Sequence, residues 1–331
     1  MLKTPYLLFL GDAKDQLAAK VAQGIRDWRP ENAVGQIRLE GCAADVGVPD
    51  MTIAEAMEKG ARTMVVGVAN QGGFIVDEWL DVLVEALESG MDLAAGLHSR
   101  LADVPRLAEA AERLGRELHD VRHPTESYPT GKGIRRPGKR LLPVGTDCSC
   151  GKMYTALAVE KEMRARGWNA DFRATGQTGI LITGAGVSID AVIADFIAGA
   201  VEVLAPANDP DHWDLVEGQG SLFHAAYAGV TMGLIHGSQA DALVLCHEPT
   251  RTHMRGLPGY PIPDMGLTME TVLLHARLTN PDAKFVGISV NTAKLDDVAA
   301  ERFLKETEDR FGLPTADPVR TGVANIVDAL A

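Results

Sequence analysis

Cysteine is scarce in this chain: Cys42, Cys148, Cys150 and Cys246 are the only four in 331 residues. With no signal-like leader, so few thiols do not make a disulfide framework. The N-terminal apolar run, within "MLKTPYLLFLGDAKD", spans about six residues and is too short for a signal core or a bilayer span. No later stretch offers about 20 uninterrupted apolar residues, so the expectation is a cytoplasmic protein with no membrane partner. Positive charge is outnumbered, with a net charge of −13, and an acidic surface repels a polyanion, which argues against nucleic acid. There is no repeat of solenoid length and no G-x-G-x-x-G, so a dinucleotide has little support.

What is present is ordinary for a globular protein. Hydrophobic residues make up 46% and charged residues 23%, which argues against extensive disorder. The length exceeds what one core usually reaches, so two domains are expected. In residues 1–121, apolar runs such as "YLLFLGD", "GQIRLE" and "RTMVVGVAN" alternate with amphipathic stretches such as "VDEWLDVLVEALESG" and "VPRLAEAAERLG". That alternation, with glycines at the strand ends, is the mark of an α/β fold with a parallel doubly wound sheet. Residues 122–139, rich in proline, glycine and basic residues, read as a linker. Its Arg135, Arg136 and Lys139 are either solvated or line an anion site. Residues 140–331 resume the α/β pattern with "DLVEGQGSL", "ADALVLCHEP" and "KFVGISVNT" as strands, and "DAVIADFIAGAVEVL" among the helices.

The stretch "LLPVGTDCSCGKMYTALAVEKEM" carries the clearest chemistry. A strand turning through Gly145 and Gly151 into a helix presents unpaired N–H groups at the positive end of the helix dipole, and Lys152 adds a cation for phosphate oxygens. Gly145, Thr146, Cys148, Ser149, Gly151, Lys152 and Met153 are therefore the candidate cofactor-binding residues. A nucleotide hydrolase or kinase needs Ser or Thr after the lysine to hold Mg²⁺; here Met153 stands in that place, and no metal is expected. Cys148, near a helix N-terminus, is a candidate for a lowered thiol pKa.

In open α/β sheets ligands lie beyond the carboxyl ends of the strands. Glu217, after "WDLV", is the first candidate base; Asp147, Asp190, His224 and His247 are the others, with Asp195 on the same expected helix start as Asp190. Arg173, His247, Arg251 and Arg255 are candidates for substrate carboxylates, since arginine binds them through a planar fork; Glu248 falls in the same crevice. Gly11-Asp12 and Asn70-Gln71-Gly72-Gly73 follow strands in the first domain and are further ligand candidates.

Long blocks, among them "GIRDWRPE", "GTDCSCGKMYTAL", "TGQTGILI", "GVSIDAVIADFIAGAVE", "DHWDLVEGQGSLFHAAYAGV" and "LVLCHEPTRTHMRGLPGYP", together with the rest of the chain, resemble the D-glutamate N-acetyltransferase family of the DgcN type. The resemblance implies a Rossmann-like N-terminal domain and a P-loop NTPase-like C-terminal domain, and acetyl transfer from acetyl-CoA to the amine of D-glutamate or a similar acidic amino acid. Thioester transfer breaks no phosphoanhydride, so a phosphate grip without Mg²⁺ suits it. A homo-oligomer is expected. Two alternatives stand beside this reading: an ATP-dependent ligase or kinase of the dethiobiotin synthetase type, and a regulator that binds a nucleotide or CoA without turnover.

Overall fold

The structure is a computed structural model describing residues 1–69 and 72–331. Its strands in chain order are β1 (Tyr6–Gly11), β2 (Ala33–Arg38), β3 (Thr63–Val66), β4 (Asp92–Ala95), β5 (Leu118–Asp120), β6 (Lys139–Gly145), β7 (Ala170–Arg173), β8 (Trp213–Val216), β9 (Ala242–His247), β10 (His253–Met254), β11 (Leu257–Pro261), β12 (Lys284–Val290) and β13 (Thr315–Ala316). They form two parallel sheets and one antiparallel hairpin, β10–β11. No helix among the described residues is long and apolar enough to cross a membrane.

The chain divides into two compact units, residues 1–125 with 176–191, and residues 126–175 with 192–331. The first unit holds the sheet β2-β1-β3-β4-β5. Every residue of β1, β3 and β4 is buried, as expected of strands covered on both faces. The helix Pro105–Leu114 starts with proline in its first turn and ends at Gly115 in the left-handed conformation. The end of β1 is internally occupied: Trp79 Nε1 donates to Asp12 Oδ1 at 3.2 Å, and Lys14 pairs with the same carboxylate at 2.9 Å. Asn70 and Gln71 lie outside the described residues.

One helix departs from the sequence expectation. Gln177–Thr183 lies between segments of the second unit in sequence, yet it packs in the first unit against the helix Lys20–Trp28. Local periodicity gives a helix its apolar face but not the sheet it covers.

The second unit carries the sheet β13-β12-β9-β6-β8-β7, with β6 in its interior between β9 and β8. The stretch 190–204 is not one helix. Two 3₁₀ turns, Ile189–Ala191 and Ala194–Phe196, precede the helix Ile197–Leu204. The basic segment before β6 is ordered by its own charges. Arg135 donates to Asp241, Asn280 and Asp282, and Arg136 to the carbonyls of Ala205 and Gly237 and to Gln239 Oε1. The Lys139 ammonium sits 5.4 Å from the Trp213 ring centre. These cations brace the start of β6 and do not form an open anion site.

Candidate active site

The site is built at the carboxyl end of β6, where the chain leaves Gly145 and enters the helix Lys152–Ala165. Because β8 and β9 flank β6, Glu217, which follows β8, and His247, the last residue of β9, come to either side of the loop. The loop is tight. A Cβ on Gly145 would lie 2.6 Å from Cys150 Sγ and 2.9 Å from Lys152 Nζ, so only glycine fits there. Gly151, at φ +109°, caps the helix without a side-chain hydrogen bond. The helix's first N–H groups thus keep no intrahelical partner and face out along the dipole. Lys152 is buried, its Nζ donating to the Asp147 carbonyl at 2.8 Å and lying 3.5 Å from Cys150 Sγ. Met153, half-buried, offers a thioether where a magnesium site has a hydroxyl.

Asp147 is the organiser of this loop. Its Oδ1 accepts from the Cys148 N–H at 2.7 Å; its Oδ2 accepts from Arg251 Nη1 at 2.6 Å and from the Arg255 N–H at 3.0 Å. Burial alone would raise its pKa, but the hydrogen bonds from Arg251, Arg255 and Cys148 outweigh it and hold the carboxyl below its usual range. A carboxylate held so firmly as an anion is a weaker base than a free one. Arg251 is likewise committed. It also donates to the carbonyls of Cys148 at 2.6 Å and Ser149 at 2.7 Å, and through Nε to Glu248 Oε2 at 2.9 Å. Arg251 therefore fastens the loop and is not a vacant carboxylate receptor. Ser149, non-glycine at φ +50°, sits in a costly backbone conformation at the fastened carbonyl.

The remaining candidates sort by their contacts. Glu217 is buried, and its Oε2 accepts from the Thr175 N–H at 2.8 Å, tying β8 to the segment after β7. Both ring nitrogens of His224 are engaged: Nδ1 accepts from the Ala226 N–H at 3.2 Å, and Nε2 donates to the Arg255 carbonyl at 3.1 Å. The ring also stacks on Tyr227 at 4.4 Å, so it is a structural histidine here. Arg173 donates to the buried Asp214 at 2.7 Å and pairs with Asp171, which leaves it no role as a carboxylate receptor. Asp190 belongs to the first unit, where Arg122 and Ser188 each hold it at 2.9 Å; Asp195 is exposed on its 3₁₀ turn. The Cys148 thiol departs from expectation as well: burial and the neighbouring Asp147 push its pKa up, overriding Lys152 and Arg255. This disfavours the thiolate form.

His247, the other histidine candidate for the base, ends β9 beside the loop. Its Nδ1 lies 3.0 Å from Thr146 Oγ1, and its ring stacks on Phe303 at 6.0 Å. Burial lowers its pKa against the opposing pull of Glu248, so the imidazole is neutral at pH 7. Asp147, Cys148 and His224 bring ligand atoms within 4.8 Å of one another, a spacing a metal ion accepts. As the side chains stand, however, the Asp147 and His224 atoms serve the hydrogen bonds just described.

Comparison with known proteins agrees with this two-unit architecture. Residues 37–124 match the family model "Domain of unknown function (DUF1611_N) Rossmann-like domain", and residues 128–327 match "Domain of unknown function (DUF1611_C) P-loop domain". A crystal structure of a DUF1611 family protein from Anabaena variabilis ATCC 29413 aligns over 99% of both chains, with a TM-score of 0.86 and 32% identity. A protein of Tritonibacter scottomollicae named D-glutamate N-acetyltransferase is 63% identical over 100% of this chain and 99% of its own length. One from a Pseudoalteromonas species with the same name is 50% identical over 98% of each. The chain belongs to the DUF1611 family, with its Rossmann-like and P-loop domains, and shares its full length with relatives named as acyltransferases.

Proposed function

We propose that this chain is an N-acetyltransferase that moves the acetyl group of acetyl-CoA to the amine of D-glutamate or a closely similar acidic amino acid. The observation that carries the reading is the 63% identity, over the whole chain, to a relative so named. The loop is compatible with it. CoA presents a pyrophosphate and a 3′-phosphate, and the residues suited to them are the N–H groups at the start of the helix Lys152–Ala165, with Lys152 as the cation. Acyl transfer needs no metal at Met153: the amine attacks the thioester carbonyl, the C–S bond breaks, and CoA leaves as the thiol.

That attack requires the substrate ammonium to lose a proton, and His247 is the group we assign to it. In the tautomer whose Nδ1–H donates to Thr146 Oγ1, the lone pair lies on Nε2. Being neutral at pH 7, the ring is ready to accept.

The decisive assay follows thiol release with acetyl-CoA and D-glutamate, L-glutamate or D-glutamine. Release with D-glutamate, unchanged by a chelator, is expected. No release with any acidic amino acid from folded protein overturns the reading. The pH profile tests the base. Since burial depresses the His247 pKa below 6.5, kcat/KM should fall only as pH drops below that value and stay level from pH 7 to 8. His247→Asn should lower kcat by about 10²-fold and abolish that acid limb; an unaltered limb would place the base elsewhere.

A further inference from the structure

Arg255 occupies an unusual position at the loop's rim. Its backbone is bonded on both sides by the site itself: its N–H donates to Asp147 Oδ2 at 3.0 Å, and its carbonyl accepts from His224 Nε2 at 3.1 Å. It lies in the turn of the β10–β11 hairpin, just before Gly256 at φ +79°. The main chain of Arg255 is therefore fixed to the phosphate loop as firmly as a loop residue. Its side chain is not. The guanidinium is exposed and, among the described residues, takes part in no hydrogen bond or ion pair.

The other cations of the loop are occupied. Lys152 is turned onto the Asp147 carbonyl, and Arg251 spends all three of its nitrogens on Asp147, Cys148, Ser149 and Glu248. What sets this guanidinium apart is its place, on a backbone bonded to Asp147 and His224 at the loop. A guanidinium that is unpaired although its backbone is bolted down is poised for a partner that arrives with a ligand. Its charge already reaches the loop, favouring the Cys148 thiolate against the opposing influence of Asp147.

We infer that the Arg255 guanidinium is an anion receptor of the site, taking a carboxylate or phosphate oxygen of the bound ligand in a forked hydrogen bond. The hairpin acts as its arm, and the Asp147–Arg255–His224 bonds set its reach. The inference deepens the proposed acetyltransferase reading by naming a residue that selects the substrate or CoA, and it rests on that reading only for the identity of the anion. Both sources, the side-chain carboxylate of an acidic amino acid and a phosphate of CoA, share the chemistry that the guanidinium recognises.

The test measures binding of pyrophosphate and of glutarate by calorimetry to the wild-type chain, Arg255→Gln and Arg255→Lys, beside KM values for acetyl-CoA, 3′-dephospho-acetyl-CoA, D-glutamate and D-glutamine. The guanidinium is exposed and makes no hydrogen bond or ion pair among the described residues, so Arg255→Gln should unfold at the wild-type urea concentration. We expect it to weaken one probe tenfold or more, with Arg255→Lys in between. Weaker pyrophosphate binding and a raised KM for acetyl-CoA identify phosphate, and loss of the effect with 3′-dephospho-acetyl-CoA narrows it to the 3′-phosphate. Weaker glutarate binding, with loss of preference for D-glutamate over D-glutamine, identifies the carboxylate. If wild-type protein binds neither probe, or Arg255→Gln changes both by less than twofold, the inference is overturned. Probe binding that depends on Arg255 in a protein without acetyl transfer would sink the proposed activity and leave the receptor standing.

Discussion

Replacing Arg251 by alanine should cost the second unit about 3 kcal/mol, the loss typical of removing one partner from a buried charge pair, and should lower kcat/KM by about 10²-fold. The reason is the number of tasks this one side chain performs. It neutralises the buried Asp147, neutralises Glu248, and holds the carbonyls of Cys148 and Ser149 on the outer side of the loop. Without it those carbonyls are released, and Asp147 retains only N–H donors from Cys148 and Arg255. The depressed pKa of Asp147 gives this a pH signature. Stability from its ionised form is present above the ordinary aspartate value of 3.8 and is lost as pH falls through the lower native value. In Arg251→Ala the native value moves back toward 3.8, so that acid-side loss should be smaller and end at higher pH. Arg251→Lys keeps a charge but cannot fork to two carboxylates and two backbone carbonyls, so it should recover only part of the deficit. An alanine variant with an unchanged urea midpoint and unchanged KM would show that the loop holds itself.

Gly218→Ala should be still more damaging to the fold. A Cβ there would lie 1.8 Å from the Pro143 carbonyl oxygen and 3.1 Å from Lys152 Cδ. The first contact is with backbone in the interior strand β6, which cannot move aside as a flexible side chain does. Overpacking of this kind ordinarily costs about 1–3 kcal/mol, and a clash with main chain belongs at or beyond the upper end. The expected result is poor soluble yield or a large drop in urea midpoint. Because the same displacement shifts the end of β8 against Lys152, any folded fraction should also bind acetyl-CoA more weakly. Wild-type stability in Gly218→Ala would mean that β6 and β8 are less closely apposed than described.

The sequence made the loop legible because its determinants are consecutive. Gly145, Gly151 and Lys152 announce the turn and the cation within eight residues, and Met153 announces the missing hydroxyl. The roles of the charged residues were less accessible. Whether Arg251 meets a ligand or Asp147, 104 positions away, depends on β9 lying beside β6 and on the conformation of the chain after β9. The same holds for His224, whose two ring bonds are made to backbone atoms with no side-chain signature. Arg173 and Asp190 looked available because their partners, Asp214 and Arg122, are distant in sequence. The Cys148 shift was misjudged for a different reason: dipole and lysine favour the thiolate, but burial beside a carboxylate outweighs them.

The helix Gln177–Thr183 has a consequence for how the protein is made. Its apolar residues Ile180, Leu181 and Ile182 complete the first unit, yet a ribosome delivers them after the whole phosphate loop. The nascent first unit must wait, with part of its surface uncovered, until more than half of the polypeptide has emerged. For the same reason no single cut releases both units intact. A fragment ending at Thr125 would lack a structural piece, and one beginning at Glu126 would carry that piece with nothing to cover it.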